Sequence, residues 1–207
     1  MSGAISKPEI NWNQIYAINF TTKLLNAREW FSTANELIAA AEVLAPRVIA
    51  WWDSHIEWSK GQGIFLEHGY HSIFLMLYAF AIENLCKGHL IGQFSLEETE
   101  LIRKNRRLPK KLTDHRLCEL IDSIGLKYNL EDEDILRRLE RASVWGGHYP
   151  IPKDYSKVRP RKYSDGKEYT TAWLGRDDLE RVRSLANRIR EHVNAPVSYR
   201  VNVQRDG

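Results

Sequence analysis

The chain has 207 residues, 43% of them hydrophobic and 28% charged, a globular composition that excludes a disordered tail and a collagen-like chain. That length allows one domain with at most an appendage, at ~100–200 residues per domain. Thirty Lys and Arg face 27 Asp and Glu for a net charge of +3, so only a local cluster of cations, not the total, would point to a nucleic acid.

Residues 1–29 carry Trp12, Ile15, Tyr16, Ile18 and Phe20 without a dominant period, and read as an N-terminal arm. The first patterned element opens at Thr33, where Thr33 and Glu36 have the spacing of a capping box. Leu37, Ala41, Leu44, Val48 and Trp51 follow at helical spacing. Pro46 either kinks this helix or starts a second one, and Gly61 and Gly63 suit its end. The most apolar element runs from about Tyr70 to Ile91, with apolar residues on nearly every side between Ile73 and Ile82. A buried strand is the alternative there, but length and Ala content favour a central helix packed on several faces. The uncharged stretch within it, Ser72 to Ile82, is about half of the ~20 residues a membrane span needs, so no membrane is expected.

Ser95 caps a short helix to Asn105, with Glu97 and Glu98 in its first turn. From Arg103 to Arg116 the chain carries seven cations (Arg103, Lys104, Arg106, Arg107, Lys110, Lys111 and Arg116) against one acid, Asp114. A helix from about Asp114 to Ile124 is closed by Gly125, and an acid-started helix from Glu131 to about Val144 turns Ile135, Leu136, Leu139 and Ala142 inward. Residues 145–175 are rich in Gly, Pro and Tyr and read as a long loop with a small hairpin around Asp165-Gly166. The last helix, Asp177 to about Val193, has an apolar stripe of Leu179, Val182, Ala186, Ile189 and Val193. Its Asp177 and Glu180 repeat the capping-box spacing. Residues 196–207 read as a tail. The fold class is all-α: a bundle of five to seven helices in one domain over residues 30–195, with an extra N-terminal helical region.

Phosphate loops, nucleophile elbows and His-Glu-x-x-His are missing from the sequence, and Cys86 and Cys118 lack the spacing of a zinc site. The two read as buried thiols of a cytoplasmic protein, in keeping with a start that has no basic-then-apolar leader. His68 and His71 share a helix face but need further ligands to hold a metal, so neither a metal nor another cofactor is expected. Glu83 and Lys87 have the favourable order for an ion pair along one helix; a self-neutralising structural pair and a functional pair both fit.

One series of motifs resembles a known family. The apolar helix ends in Glu83-Asn84-Leu85-Cys86-Lys87-Gly88-His89-Leu90. After the basic linker comes Asp114-His115-Arg116-Leu117-Cys118-Glu119-Leu120, then the acid-started helix, then Gly147-His148-Tyr149-Pro150. This order, over about Tyr70 to Pro152, is similar to the HEPN superfamily (higher eukaryotes and prokaryotes nucleotide-binding domain). The resemblance implies a helical bundle, a homodimer and an antitoxin or nucleotidyltransferase partner. It also implies a metal-independent endoribonuclease of toxin or phage-defence type. The family's Arg and His, four to six residues apart, match Arg141 and His148, with six between. Cleavage by the RNA's own 2′-hydroxyl needs a proton-transfer group near neutrality and a cation on the phosphorane, which His148 and Arg141 would supply.

A second reading stays open. Arg137 and Arg141 also fit a solvated salt-bridge ladder with Glu133 and Glu140, Ala142 stands where the family usually has a polar residue, and relatives carry Arg-Tyr-Pro at the place of His148-Tyr149-Pro150. The chain would then be a non-catalytic module that holds RNA, a nucleotide or a partner protein. Its binding residues would be Glu83, Lys87, Arg106, Arg107, Lys110, Lys111, His115, Arg116 and Tyr149, with cations on phosphates and aromatic faces on bases. Trp51, Trp52 and Trp58 lie within eight residues and cannot all face one core, so some are expected to meet a second copy.

Overall fold

The computed structural model describes residues 11–146, 161–162, 166, 168–169 and 175–194. Among them the fold is an all-α bundle with one short antiparallel pairing of two-residue strands.

The expected arm holds a helix, α1 (Trp12–Leu24), capped by Asn11, whose side chain accepts from the Gln14 amide. Its apolar residues are spread around the axis, so Trp12, Ile15, Tyr16, Ile18 and Phe20 stay exposed and only Leu24 is buried. That spread is why no period is legible there. The next helix, α2 (Ala27–Ser59), starts earlier than the Thr33–Glu36 spacing predicts. Asn26 is the cap and accepts from the Arg28 amide, and Thr33 lies inside the helix. The Trp30 indole donates to the Leu24 carbonyl at 3.0 Å and ties the two helices together.

Pro46 does not divide α2, which runs unbroken through 33 residues. Proline within a helix costs ~3 kcal/mol. The buried stripe of Ala34, Ala41, Ala45, Val48, Trp51 and Trp52 against the rest of the bundle outweighs it. Trp51 and Trp52 are both buried, adjacent though they are, and Trp58 is exposed. Their rings form one aromatic group with His55, Phe65 and His71.

Helix α3 (His71–Gly92) is the centre of the bundle, in contact with α2 and with three of the later helices. By length and composition it is the one helix among the described residues that could span a membrane, and most of its apolar window is buried by its neighbours. Helix α4 (Leu96–Asn105) carries the Ser95–Glu98 capping box. A 3-10 turn (Lys110–Leu112) leads to α5 (Leu117–Ser123), and Gly125, at φ +74°, ends that element in the left-handed region open to glycine. Helix α6 (Leu130–Arg141) is capped by Asn129 with Asp132 and buries Ile135, Leu136 and Leu139, as the pattern predicts. A π turn (Ala142–Gly146) follows and packs against α3.

Strands β1 (Arg161–Lys162) and β2 (Glu168–Tyr169) pair around Gly166, where a hairpin is expected. Helix α7 (Asp178–Asn194) buries the whole predicted stripe. Its first residue, Asp178, accepts the Gly175 amide at 2.6 Å through Oδ2 while pairing with Arg138.

Candidate functional site

The basic linker is shaped by its two ends. At the first, α4 stops at Arg106, a non-glycine residue with φ 50° whose amide bonds back to the Ile102 carbonyl. This left-handed cap turns the chain sharply away from the helix axis. Leu112 is buried and pins the 3-10 turn. Lys111 folds back onto α4: its Nζ lies 2.6 Å from Glu98 Oε1 and 4.3 Å from the centre of the Phe94 ring. The Lys111 hydrogen bond, ahead of the Ser95 amide, holds the Glu98 carboxyl below the usual carboxylate range.

Between these anchors lies an open cavity of about 890 Å³, walled by Leu101 and Leu108 and edged by Lys104, Arg107, Lys110 and Lys111. Among the described residues no carboxylate lies within ion-pair distance of Lys104, Arg106, Arg107 or Lys110, whereas Arg103 pairs with Glu100 at 2.5 Å and Arg116 with Asp114 and Glu119. The linker therefore sorts its cations. Lys111 and Arg116 are paired with carboxylates, and Arg106, Arg107 and Lys110 present uncompensated charge to water. Lys104 belongs with the second set. It was visible in the cation run, and its spacing of three from Arg107 was the available signal.

At its other end the linker is fastened to α3 where His115 meets the expected Glu83–Lys87 pair. Lys87 Nζ stands 2.6 Å from Glu83 Oε1, with side-chain exposures of 4% and 10%. His115 Nδ1 reaches the same carboxylate at 3.1 Å from Oε1 and 3.0 Å from Oε2. Glu83 and Lys87 are both buried in α3, and His115 covers the carboxylate from the linker. The histidine itself is 62% exposed. Sequence spacing indicated the Glu83–Lys87 pair; the arrival of His115 from 32 positions away was not legible.

Arg141 is the last residue of α6 and is half-buried where the π turn begins. Of the expected ladder, the Arg137–Glu133 rung is present at 2.5 Å, and Glu140 accepts the Cys118 amide at 3.1 Å. His148 and Tyr149 lie outside the described residues, as do most of the Tyr-rich residues of 147–174. His71 packs on the Trp51 ring with centroids 5.1 Å apart and its Nδ1 buried, and burial holds its pKa low. No group of three or more His, Cys, Asp or Glu among the described residues is placed to hold a metal.

Comparison with family models, with curated proteins and with solved structures finds no match to this chain.

Proposed function

We propose that this chain is a HEPN-like protein that binds single-stranded RNA along its basic linker. The observation that supports the reading is the set of four cations from the last turn of α4 to the start of the 3-10 turn, Lys104, Arg106, Arg107 and Lys110, without carboxylate partners among the described residues, three of them (Lys104, Arg107 and Lys110) edging an open cavity. Uncompensated guanidinium and ammonium groups attract phosphates, and their spread over seven residues suits a chain of phosphates better than a single nucleotide. The apolar wall of Leu101 and Leu108 offers a surface for base faces. The test is binding of a labelled single-stranded RNA over a salt series, with Arg107→Ala/Lys110→Ala beside the unaltered protein. The double variant should weaken binding and lower the salt slope by ~0.7 for each phosphate that is no longer neutralised. Absence of RNA binding at low salt, or equal binding by the variant, would overturn the reading.

A second reading is favoured by the placement of Arg141. It closes α6 directly before a π turn packed on α3, and π turns inside helices occur often at functional sites. In this reading the protein is a homodimeric metal-independent endoribonuclease in which Arg141 stabilises phosphorane charge and His148 transfers protons. RNA cleavage in excess chelator, lost in both Arg141→Ala and His148→Ala with folding intact, is the result it requires.

A further inference from the structure

We infer that His115 is a proton-transfer residue for cleavage of the RNA held on the linker, with Glu83 as its positioning residue. The inference rests on the RNA-binding reading above. Its ground is the geometry of the ring. A carboxylate only accepts hydrogen bonds, so Nδ1, at 3.0 and 3.1 Å from the Glu83 oxygens, carries the proton. In the neutral ring that tautomer has its lone pair on Nε2, which has no partner among the described residues, on a side chain 62% exposed. A nucleophile's base fixed by a third, buried group is the arrangement in which oriented histidines act. Glu83 is itself held by Lys87 at 2.6 Å, and both lie buried in α3, so the ring is aimed from a rigid helix. A purely structural tie between linker and helix would be served as well by an amide or hydroxyl, without a titratable nitrogen facing water.

The position along the chain fits the chemistry. Lys110 and His115 are five residues apart, at most about 18 Å along the backbone, so RNA on the basic turn can pass the ring within a few nucleotides. His115 Nε2 takes the proton of a 2′-hydroxyl, the bond from O2′ to phosphorus forms, and the bond from phosphorus to O5′ breaks. The O5′ leaving group takes a proton from water, and the hydroxide so formed takes the proton from Nε2. The products are a 2′,3′-cyclic phosphate and a 5′-hydroxyl, with no change of oxidation state.

The experiment measures binding and cleavage of one single-stranded RNA, in chelator, by the full chain and by His115→Asn and His115→Ala. Asparagine keeps a donor for Glu83 and removes the base. At saturating RNA, where any loss of affinity no longer enters, both variants should cleave ~100-fold more slowly, and added imidazole should restore cleavage by His115→Ala. Equal cleavage by His115→Asn, or a deficit that imidazole does not restore, overturns the inference. RNA binding by the unaltered protein without cleavage overturns it too and leaves the binding reading standing. Failure to bind RNA removes both.

Discussion

Arg138 Nη1 stands 2.5 Å from Asp178 Oδ2, with both side chains less than one-tenth exposed, and this pair joins α6 to α7 inside the bundle. Arg138 sits among Ile135, Leu139 and Ala142, on the face of α6 that the apolar pattern turns inward. Removing one partner of a buried pair leaves the other charge where water cannot replace it, at ~3–5 kcal/mol. Asp178→Ala should therefore lower stability by about 3 kcal/mol in urea titration. The double variant Arg138→Leu/Asp178→Leu should recover much of that stability, because both charges go together. A single-variant effect below about 1 kcal/mol would show that the pair does not hold the helices together.

Gly88 sets the approach of α2 to α3. A β-carbon at Gly88 would lie 2.7 Å from Phe31 Cε1 and 3.0 Å from Trp30 Cβ, closer than packed carbons stand. Two effects oppose each other in Gly88→Ala. Alanine favours the helix by ~1 kcal/mol, and overpacking costs ~1–3 kcal/mol. The steric effect wins, and the variant should melt below the unaltered protein. Gly92→Ala is the control, since its nearest neighbour would be Ala27 Cβ at 3.9 Å. It should be neutral or slightly stabilising in the same thermal melt, and equal melting of the two variants would contradict the packing account.

The legibility of this fold follows the strength of its periodicities. Helices α6 and α7 have stripes long enough to read directly, and Ile135, Leu139, Val182 and Ile189 are buried as the pattern requires, whereas α3, apolar on nearly every side, is legible from its length and composition. Helix α1 escaped because its apolar residues follow no stripe, and the start of α2 because a later Thr-x-x-Glu spacing competed with Asn26. Pro46 left two topologies open that only tertiary packing decides. At the candidate site the linker's charge was legible from composition, but its division into carboxylate-paired and uncompensated cations was not. That division depends on where Glu98, Asp114 and Glu119 fall in space. The meeting of His115 with Glu83 depends on how the linker returns to α3, which no local signal encodes.

Cys86 and Cys118 should resist alkylation in the folded protein. Burial, with Glu83 as a lesser contributor, pushes the Cys86 thiol up to about 12. Burial, followed by the Glu140 carboxylate, pushes Cys118 up to about 11. The thiolate is the reacting species, so at pH 8 both thiols are almost wholly in the unreactive form. Iodoacetamide followed by intact mass measurement should show little modification in hours, and two modifications promptly in denaturant. Rapid single labelling of the native protein would mean that Cys118, the less buried of the two, is reached without unfolding.

Glu42 joins three helices and should make stability depend on pH at both ends of the range. Its Oε1 accepts from the Tyr78 hydroxyl at 2.5 Å and from Arg183 Nε at 2.9 Å, and its Oε2 accepts from Arg183 Nη2 at 2.6 Å. The Arg183 hydrogen bonds outweigh desolvation and, with Tyr78, hold the Glu42 carboxyl below its ordinary value of 4.5. A depressed carboxyl contributes stability above its unfolded pKa and loses it as pH falls through the folded one. Burial, then the same carboxylate, raises the Tyr78 phenol above its ordinary 10.0, so its contribution is complete below that pH and is lost as pH rises through the folded value. Glu42→Gln should therefore melt below the unaltered protein at pH 7, with the difference shrinking below pH 4.5 as the native carboxyl protonates. Tyr78→Phe should show the complementary pattern, with its deficit narrowing at strongly alkaline pH. Melting differences that stay constant from pH 3 to pH 8 would show that the Glu42 carboxylate is not what links α2, α3 and α7.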